Sequence, residues 1–354
     1  MNERQSYRNL VEPDSYPRLF FDYPPTAFTV RLESSGLLLF KTHFDVLTTL
    51  EPSLRKSLKK APLFKYWGKL FNWSACFAGT TITEYAPVPV SLPPEQLLED
   101  LLCQAGTSSL TIVKDLPLSS PFLPLQDNEY AQKLTIAGVT RGFYELSGQA
   151  LAYVPIDFAT ADEYMSRLSH GRRKDLRRKL KAAAEISIEV LELGDTFFTK
   201  QGILDEFYDM YLEVYRQSEI HFDLLSRDFF QTLLNGRLAR GLVVIYRYGT
   251  SIAGYNICLM HRDLLIDKYI GFRYPLARQL NLYFVSWFYN IGLALKYGLK
   301  FYVAGWTDPE VKALLGASFT FTRHLVWVKN PFLRSLMRPL RHQFESDKKT
   351  MENL

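Results

Sequence analysis

The residues best placed to do chemistry lie in the C-terminal half of the chain. Asp267, Lys268 and Tyr269 fall inside a run of strand composition, and simple alternation puts Asp267 and Tyr269 on one face and Lys268 on the other. A carboxylate inside a sheet is costly to bury unless it is paired or used, so Asp267 is either a general base or ligand contact, or half of a structural pair. Tyr255, in the preceding strand-like run, has a phenol proton for a leaving group; the alternative is a structural tyrosine.

Three more charged residues follow the next predicted strand. Asp308, Glu310 and Lys312 occupy the loop and first turn of a short predicted helix. Asp308 also fits the N-cap of that helix, with Pro309 at the first helical position, and Lys312 also fits a solvated helix lysine. The pattern leaves a structural and a functional interpretation open.

The strongest charge feature is the run Arg172–Lys181, in which seven of ten residues are Lys or Arg. Such a run can neutralise several phosphates, and binding would then weaken steeply with salt. It has no interleaved aromatic residues, so base stacking is not expected. The alternative is a solvated helix face.

The C-terminus has a basic amphipathic pattern that lies on a membrane surface in some proteins and docks on the protein's own body in others. Its apolar residues are Phe332, Leu333, Leu336, Met337, Leu340 and Phe344, and its basic residues are Arg334, Arg338 and Arg341.

The composition excludes several classes of protein. Cys76, Cys103 and Cys258 are far apart and show neither metal-ligand spacing nor a disulfide framework, which favours a reducing compartment and predicts no structural metal. The N-terminal stretch lacks an apolar core of signal-peptide length, and no apolar run approaches the roughly 18 residues of a membrane span. The net charge of +5 permits an anionic ligand without demanding one. We therefore expect a cytoplasmic, soluble protein.

The elements that must position the candidate residues form a regular succession. Two amphipathic helices, around residues 203–214 and 229–234, precede a meander of three strands with connectors short enough for hairpins. A helix from about Gln279 to Tyr297 follows, then a strand, a short helix and a last strand. The predicted strands are Leu242–Arg247, Ser251–Met260, Leu264–Phe272, Lys300–Ala304 and Phe319–Val328, and the short helix is Pro309–Leu315.

The first 150 residues predict a mixed α+β lobe with a central sheet. Its predicted strands are Ala27–Leu32, Gly36–Lys41, Phe71–Phe77, Thr80–Tyr85, Leu110–Lys114 and Arg141–Glu145, with helices over Asp45–Lys60 and from Pro94. Thr160 and Glu163 have the spacing of a capping box, which predicts a helix start at Ala161. We expect an arm over residues 1–25, lobes over 26–155 and 156–330, and a terminal segment over 331–354.

The succession in the second half resembles a GNAT acyltransferase domain, and four stretches resemble its FemAB-like branch. They are EYMSRLSHGRRKDLRRKLKAAAEISIEV, YPLARQLNLYFVSWFYNIGLALKYGLKFYVAG, DPEVKALLGASF with its E-x-K-type signature, and SSLTIVKDLP in the first lobe. The resemblance implies an α+β protein with two GNAT-like lobes, each a central, mostly antiparallel sheet flanked by helices. It also implies a reactive cleft in the second lobe, between the strands at 264–272 and 300–304.

The resemblance implies transfer of an acyl or aminoacyl group to a small-molecule or peptide amine, and the first hypothesis is N-acyl transfer from an acyl-CoA donor. Amide formation needs a deprotonated amine, stabilisation of the carbonyl oxygen and a proton for the leaving group. The catalytic candidates are Asp267, Tyr255 and Lys312. The candidates for binding the donor phosphates are Arg273, Arg278, Gln279 and Asn281, and the candidates for substrate contact are Tyr269, Tyr283, Asp308 and Glu310.

One departure from the family pattern concerns the donor. Where GNAT enzymes carry a glycine-rich turn that meets the coenzyme A pyrophosphate, this chain has Arg273–Gln279 without a glycine, so its backbone approaches a pyrophosphate less closely. Aminoacyl-tRNA-dependent transfer, with the tRNA held by Arg172–Lys181, is the competing hypothesis. A third hypothesis is a non-catalytic GNAT-fold protein that contacts a membrane surface through residues 331–344.

Overall fold

The structure, a computed structural model, describes residues 6–49, 68–218 and 221–337, together with residues 56, 57, 60–62 and 64. The chain divides into two compact units: unit 1 comprises Met1–Ala150 and Thr320–Leu354, and unit 2 comprises Leu151–Phe319. The last strand therefore belongs to unit 1 from Thr320 onward, whereas the sequence pattern places it in the second lobe.

The elements follow one another along the chain with these bounds. The first ten are β1 (Tyr7–Arg8), α1 (Tyr16–Asp22), β2 (Thr29–Leu32), β3 (Leu38–Asp45), β4 (Asn72–Ala78), β5 (Val88–Pro89), α2 (Pro94–Ala105), β6 (Leu110–Pro117), α3 (Leu125–Arg141) and β7 (Tyr144–Pro155). The next are α4 (Ala161–Ser166), α5 (His170–Leu180), β8 (Ile186–Glu192), α6 (Ile203–Gln217), α7 (Arg227–Leu234), β9 (Gly241–Tyr248), β10 (Ser251–His261) and β11 (Leu264–Phe272). The last are α8 (Leu276–Gln279), α9 (Leu282–Lys296), β12 (Phe301–Gly305), α10 (Pro309–Leu314), β13 (Ser318–Val328) and α11 (Pro331–Met337).

Unit 1 is built on a mostly antiparallel sheet. β2, β3 and β4 form an antiparallel meander, β6 pairs with β4 in parallel, and β13 pairs with β6 in antiparallel. α2 buries Leu97, Leu98 and Leu101 in the core of this unit. The spacing of these leucines on one helix face explains why the helix is predicted correctly.

The parallel pair β4–β6 ends at Ala78 and Val113. The chain that follows β4 then turns back across this end, where the Ala86 N–H donates to the Asp115 carbonyl oxygen over 3.1 Å. The side chain of the neighbouring Tyr85 is fully buried. The end of this strand pair is thus filled by chain from the same unit.

Residues 6–25 pack into unit 1 and do not form the loosely ordered arm that their composition predicts. α1 turns Tyr16, Leu19 and Phe20 inward, and all three are fully buried. The Phe20 ring lies edge-on to Phe40 of β3, with 5.4 Å between ring centroids. The apolar face of this short helix outweighs the polar residues and prolines around it.

Unit 1 departs from the predicted elements in other places too. α3 is not predicted, because Leu125, Ile136 and Val139 are exposed on it and blur its amphipathic pattern. Residues 80–85 form bends and not the predicted strand. Of the predicted helix over 45–60, residues 46–49 form a 3₁₀ turn, and residues 50–55, 58 and 59 lie outside the described residues.

The sheet of unit 2 has the strand order β7-β12-β11-β10-β9-β8, with residues 151–155 of β7 at one edge. β8 to β11 are antiparallel neighbours, β11 and β12 are parallel, and β12 and β7 are antiparallel. The predicted meander and the two later strands match within one residue at each end. Short hairpin connectors and apolar runs fix this part of the fold.

Helices cover both faces of this sheet. α9 lies on one face, where Trp287 packs against Tyr302 of β12 at 5.3 Å, and α6 and α7 lie on the other. The predicted start of the long helix at Gln279 is wrong: α8 ends there, and α9 begins at Leu282. The break occurs at Asn281, which has a left-handed φ of 52°.

The chain enters unit 2 through two capped helices. Thr160 Oγ1 accepts from the Glu163 N–H over 3.1 Å, and Glu163 Oε2 accepts from the Ala159 N–H over 2.7 Å, so α4 starts at the predicted position. In the described part of the chain, no helix has the length and apolar character needed to cross a bilayer. The same residues include no group of three or more His, Cys, Asp or Glu arranged to hold a metal ion.

Candidate active site

β11 and β12 run side by side only at their first residues. Three parallel pairs join them, from Leu264–Phe301 to Ile266–Val303, and the described residues include no later pair between these strands. β11 nevertheless continues to Phe272 because its other edge remains paired with β10. The two strands therefore separate after Ile266 and Val303, and we call this opening the fork.

A β-bulge lies at the start of the fork. Ile257 of β10 pairs with Tyr269, and the next residue, Cys258, pairs with Asp267, so Lys268 is an extra residue in β11. Such an insertion reverses the alternation of side chains. Asp267 consequently faces α9, whereas Tyr269 packs against α7, 5.6 and 5.5 Å from two phenylalanine rings. The prediction that Asp267 and Tyr269 share a face is therefore wrong.

Asp267 is the first residue of β11 beyond the last parallel pair, and it is partly buried. Its carboxylate accepts hydrogen bonds from neutral donors on three elements: Asn256 on β10 at 3.0 and 2.9 Å, Asn290 on α9 at 3.1 Å and Tyr302 on β12 at 3.0 Å. Burial raises the pKa of Asp267 from 3.8 to about 6, and these bonds and the Lys312 ammonium oppose the rise. A carboxyl group with a pKa near neutrality is suited to proton exchange at physiological pH.

Lys312 reaches the fork from α10. Its side chain is only 4% exposed, and its Nζ donates to the carbonyl oxygens of Ala304 at 2.7 Å and Gly305 at 3.1 Å. Both carbonyls follow Val303, where the ladder between β12 and β11 has ended. This burial excludes the interpretation of Lys312 as a solvated helix lysine. A cation near the carboxylate instead favours the ionised form of Asp267.

The first turn of α9 brings Tyr283 to the same place. Its hydroxyl is buried without a hydrogen-bond partner. Burial, and then the carboxylates of Asp308 and Asp267, raise the pKa of this phenol. Asp308 precedes α10 with a φ of 52° and forms no side-chain capping bond, so its interpretation as an N-cap finds no support. Tyr283 and Asp308 thus lie within electrostatic reach of the fork.

The loop between β11 and α9 uses its own backbone donors. The N–H groups of residues 277–281 all donate to carbonyl oxygens inside the loop, over 2.8–3.2 Å. α8 therefore occupies the place of the glycine-rich turn of GNAT enzymes, and Gln279 is exposed at its end. Asn281, just before α9, forms no side-chain capping bond. In the first turn of α9 the Phe284 N–H already donates to the Asn281 carbonyl oxygen over 3.0 Å, so the N–H groups that remain for an anion are those of Leu282 and Tyr283, not those near Gln279.

The two arginines of this loop are held by α6. Arg273 pairs with Glu213 at 3.4 Å and with Glu206 at 3.7 Å, and the Arg278 guanidinium donates to the Gln217 side chain. Arg273 is thus already partly neutralised by carboxylates. The role of both arginines in binding donor phosphates stays a prediction.

The basic helix α5 packs beside α9. Lys179 lies 3.8 Å from the centroid of the Phe284 ring, in the first turn of α9, which also carries Tyr283. Leu176 is buried, while five basic side chains remain exposed on α5 and on the residue after it. We call these the basic face: Arg172, Lys174, Arg177, Arg178 and Lys181, of which Arg178 pairs with Asp175 at 2.7 Å.

Two predicted site residues lie away from Asp267. Tyr255 is on the opposite sheet face, where its hydroxyl donates to the Phe207 carbonyl oxygen over 3.0 Å and its ring stacks on Phe207 at 4.3 Å. The expectation that it protonates a leaving group loses its geometric basis, because its side chain points away from Asp267. Glu310 is exposed in the first turn of α10.

Sequence reasoning misses three residues that the structure places on Asp267, namely Asn256, Asn290 and Tyr302. The asparagines are fully buried, and Tyr302 is nearly so. The available signal is a polar residue inside an apolar element: Asn290 interrupts the run of α9, and Asn256 interrupts that of β10. A buried amide needs a partner, so such an interruption indicates a polar cluster.

A match to a family model shows which family this chain belongs to. The FemAB-like model, described as peptidoglycan biosynthesis/recognition, matches residues 110–353. The chain belongs to the FemAB-like family. The matched region contains the fork, Asp267, Lys312 and the basic face. This FemAB-like protein is therefore an acyltransferase with an α+β fold of the GNAT type.

Three solved structures share the fold over nearly the whole chain. The C-terminal domain of a protein named as a lysylphosphatidylglycerol synthetase from Agrobacterium fabrum has a TM-score of 0.51 at 13% identity, covering 89% of this chain and 88% of that one. L-PGS from Bacillus licheniformis has a TM-score of 0.51 at 11% identity, covering 97% and 98%. FemX has a TM-score of 0.51 at 11% identity, covering 94% and 95%. No curated protein sequence is detectably similar to this chain.

Proposed function

We propose that this protein transfers an aminoacyl group from an aminoacyl-tRNA to an amine. The observation that carries the proposal is the exposed basic side chains of α5, a helix whose Lys179 contacts the Phe284 ring in the first turn of α9, which also carries Tyr283. Several exposed cations on one helix suit a polyanion that continues beyond the reaction site. Coenzyme A would instead place a single pyrophosphate at the start of a helix.

The loop at 273–281 supports the same donor. Because the N–H groups of residues 277–281 already bond to carbonyl oxygens inside this loop, few of them remain to surround a pyrophosphate. Arg273 is also engaged by two glutamates. Both facts weaken the case for coenzyme A and leave the case for RNA unaffected.

The fork offers the groups that aminolysis of an ester requires. In the proposed reaction the Asp267 carboxylate takes a proton from the acceptor ammonium, and the freed nitrogen lone pair attacks the ester carbonyl carbon. The Lys312 ammonium stabilises the oxyanion that forms. The bond between this carbon and the ribose oxygen then breaks, the proton held by Asp267 passes to that oxygen, and the second surplus proton of the nitrogen is released to solvent. The products are an amide and the uncharged tRNA.

The acceptor is proposed from the family rather than from the fork. The family description names peptidoglycan biosynthesis/recognition. An amine of a peptidoglycan precursor is therefore the first acceptor to test, beside other small-molecule and peptide amines.

Acyl transfer from an acyl-CoA is the second candidate, and one observation favours it. Asn281 leaves the N-terminus of α9 without a side-chain cap, so the helix dipole and the N–H groups of Leu282 and Tyr283 stay available for one anionic group. An acyl-CoA donor would form few contacts with the basic face.

A transfer assay separates the two donors. The full chain is incubated with a peptidoglycan precursor and with either a mixture of radiolabelled aminoacyl-tRNAs or acetyl-CoA, and the labelled amide is counted. Label transferred from RNA alone supports the proposal, whereas transfer from acetyl-CoA alone overturns it in favour of the second candidate.

RNA binding tests the basic face directly. We expect the double substitution Arg177→Glu and Lys181→Glu to weaken tRNA binding and to lower the slope of log affinity against log salt by about 2. The double substitution Arg31→Glu and Lys133→Glu is the matched control, because both residues are exposed cations of unit 1 and the change in net charge is the same. Equal losses in both proteins would mean that the RNA follows net charge and not α5.

A further inference from the structure

We propose that Asn256, Asn290 and Tyr302 are positioning residues, which hold the Asp267 carboxylate so that one lone pair of its Oδ1 stays open to the acceptor ammonium. This inference rests on the proposed function, because it concerns the orientation of the Asp267 carboxylate, which accepts the proton in that reaction. None of the three side chains is expected to touch the substrate.

The two oxygens of Asp267 are used unequally. Oδ2 accepts three hydrogen bonds, from Asn256 at 2.9 Å, Asn290 at 3.1 Å and Tyr302 at 3.0 Å. Oδ1 only shares the Asn256 amide nitrogen with Oδ2, at 3.0 Å, and the Cys258 thiol is farther away at 3.9 Å. A carboxylate has about four lone-pair sites in all. Oδ2 is therefore saturated, and a new proton has room only on Oδ1.

The two asparagines form hydrogen bonds that favour the ionised form of the Asp267 carboxylate. Both are fully buried, and the Oδ1 atom of each has no hydrogen-bond partner. An unsatisfied buried acceptor costs free energy, so a core selected only for stability would use an apolar residue at these positions. Turning either amide round would place its oxygen against the oxygen of Asp267. The amides therefore keep their N–H groups on the carboxylate while it is charged.

The groups that act on Asp267 are one cation and several neutral groups, and the Asp308 carboxylate acts on the neighbouring Tyr283. Burial raises the pKa of the thiol and of each phenol that faces it, so these groups remain uncharged at neutral pH. The titratable groups are Tyr246 on β9, Cys258 on β10, Tyr283 on α9, Tyr302 on β12 and Lys312 on α10. The ionised form of Asp267 is consequently stabilised by hydrogen bonds from neutral donors and by one ammonium group, that of Lys312.

Tyr302→Phe is the test, because it removes one donor and keeps the ring that packs on Trp287. The carboxyl carbon of Asp267 is titrated by NMR in the full chain labelled at aspartate, with the resonance assigned by its loss in Asp267→Asn. We expect the midpoint to rise by about one pH unit, since a hydrogen bond to the charged form is lost. The acid limb of the transfer rate should move by the same amount, with kcat recovering at high pH.

Tyr164→Phe is the matched control. It also removes a hydrogen bond of a buried phenol, to the Leu315 carbonyl oxygen at 2.5 Å, but its hydroxyl does not bond to Asp267. We expect no change in the midpoint with this variant. Asn290→Leu provides a second variant of the positioning group, of similar size, should Tyr302→Phe fail to fold.

The outcomes separate this inference from the proposed function. An unchanged midpoint in Tyr302→Phe and Asn290→Leu, or an equal shift in Tyr164→Phe, would overturn the positioning role even if transfer occurs. A raised midpoint without transfer from either donor would keep the positioning of the carboxylate and overturn the proposed reaction.

Discussion

The substitution Asp267→Asn should make the stability of the protein less dependent on pH. Burial raises the pKa of Asp267 from 3.8 to about 6 in the folded chain. The folded protein therefore binds this proton more tightly than the unfolded one, so stability is greatest below about pH 3.8 and falls as pH rises toward 6. A difference of about two units corresponds to about 3 kcal/mol in full, of which about 2 kcal/mol accrues between about pH 4.5 and 7.5. A neutral amide does not incur this cost.

Urea unfolding of both proteins at about pH 4.5 and 7.5 measures the effect. The free energy of unfolding of Asp267→Asn, minus that of the unsubstituted chain, should be about 2 kcal/mol larger at the higher pH than at the lower pH. Transfer activity should be lost. Comparing two pH values cancels the cost of placing an amide against the donors of Asn256 and Tyr302. Asp263→Asn is the control, since Asp263 is 55% exposed and pairs with Lys300 at 2.7 Å. A stability difference that is the same at both pH values would refute the burial argument.

Three further substitutions test other parts of unit 2. Lys312→Met should lower kcat by about 100- to 1000-fold with the circular dichroism spectrum retained, and an unaffected kcat would remove Lys312 from the chemistry. Gly271→Ala would bring a Cβ to 2.2 Å from the Tyr255 ring, so we expect a loss of about 1–3 kcal/mol in thermal unfolding; an unchanged melting temperature would contradict this packing. Thr160→Ala removes the cap that accepts from Glu163 and should cost about 1 kcal/mol, measured by urea unfolding, where no loss would mean that the cap is unimportant.

Much of unit 2 is predictable from sequence because local rules determine it. The meander follows from apolar runs joined by two-residue connectors, and α4 follows from the capping pair Thr160 and Glu163. The start of α9 is different. Residues 276–280 have helical composition, and the break at Asn281 depends on a left-handed backbone that no local signal in the sequence reveals.

The candidate site is predictable only in part. Asp267 is found because a carboxylate in a strand demands an explanation, and Lys312 because it matches a family signature. The bulge at Lys268 has no signature in sequence, since no glycine marks it, and it alone decides which face Asp267 occupies. The asparagine partners come from β10 and α9, so their meeting depends on tertiary packing that alternation rules do not contain.

In unit 1 the prediction fails where packing overrides composition. Residues 6–25 are polar and proline-bearing, yet Tyr16 and Phe20 are buried. α3 exposes several apolar residues, so the helical period of its hydrophobic pattern is obscured. In both cases a few contacts with the sheet outweigh the average character of the segment.

The strand pair of unit 1 ends against its own chain, with the Ala86 N–H bonded to the Asp115 carbonyl oxygen. In unit 2 the corresponding pair ends at Ile266 and Val303, and the next residue of β11, Asp267, is only partly buried. A calorimetric titration with a donor analogue should therefore saturate at one equivalent per chain, although the architecture occurs twice. Substitutions around Ala86 should then leave turnover unchanged, provided that unit 1 still folds.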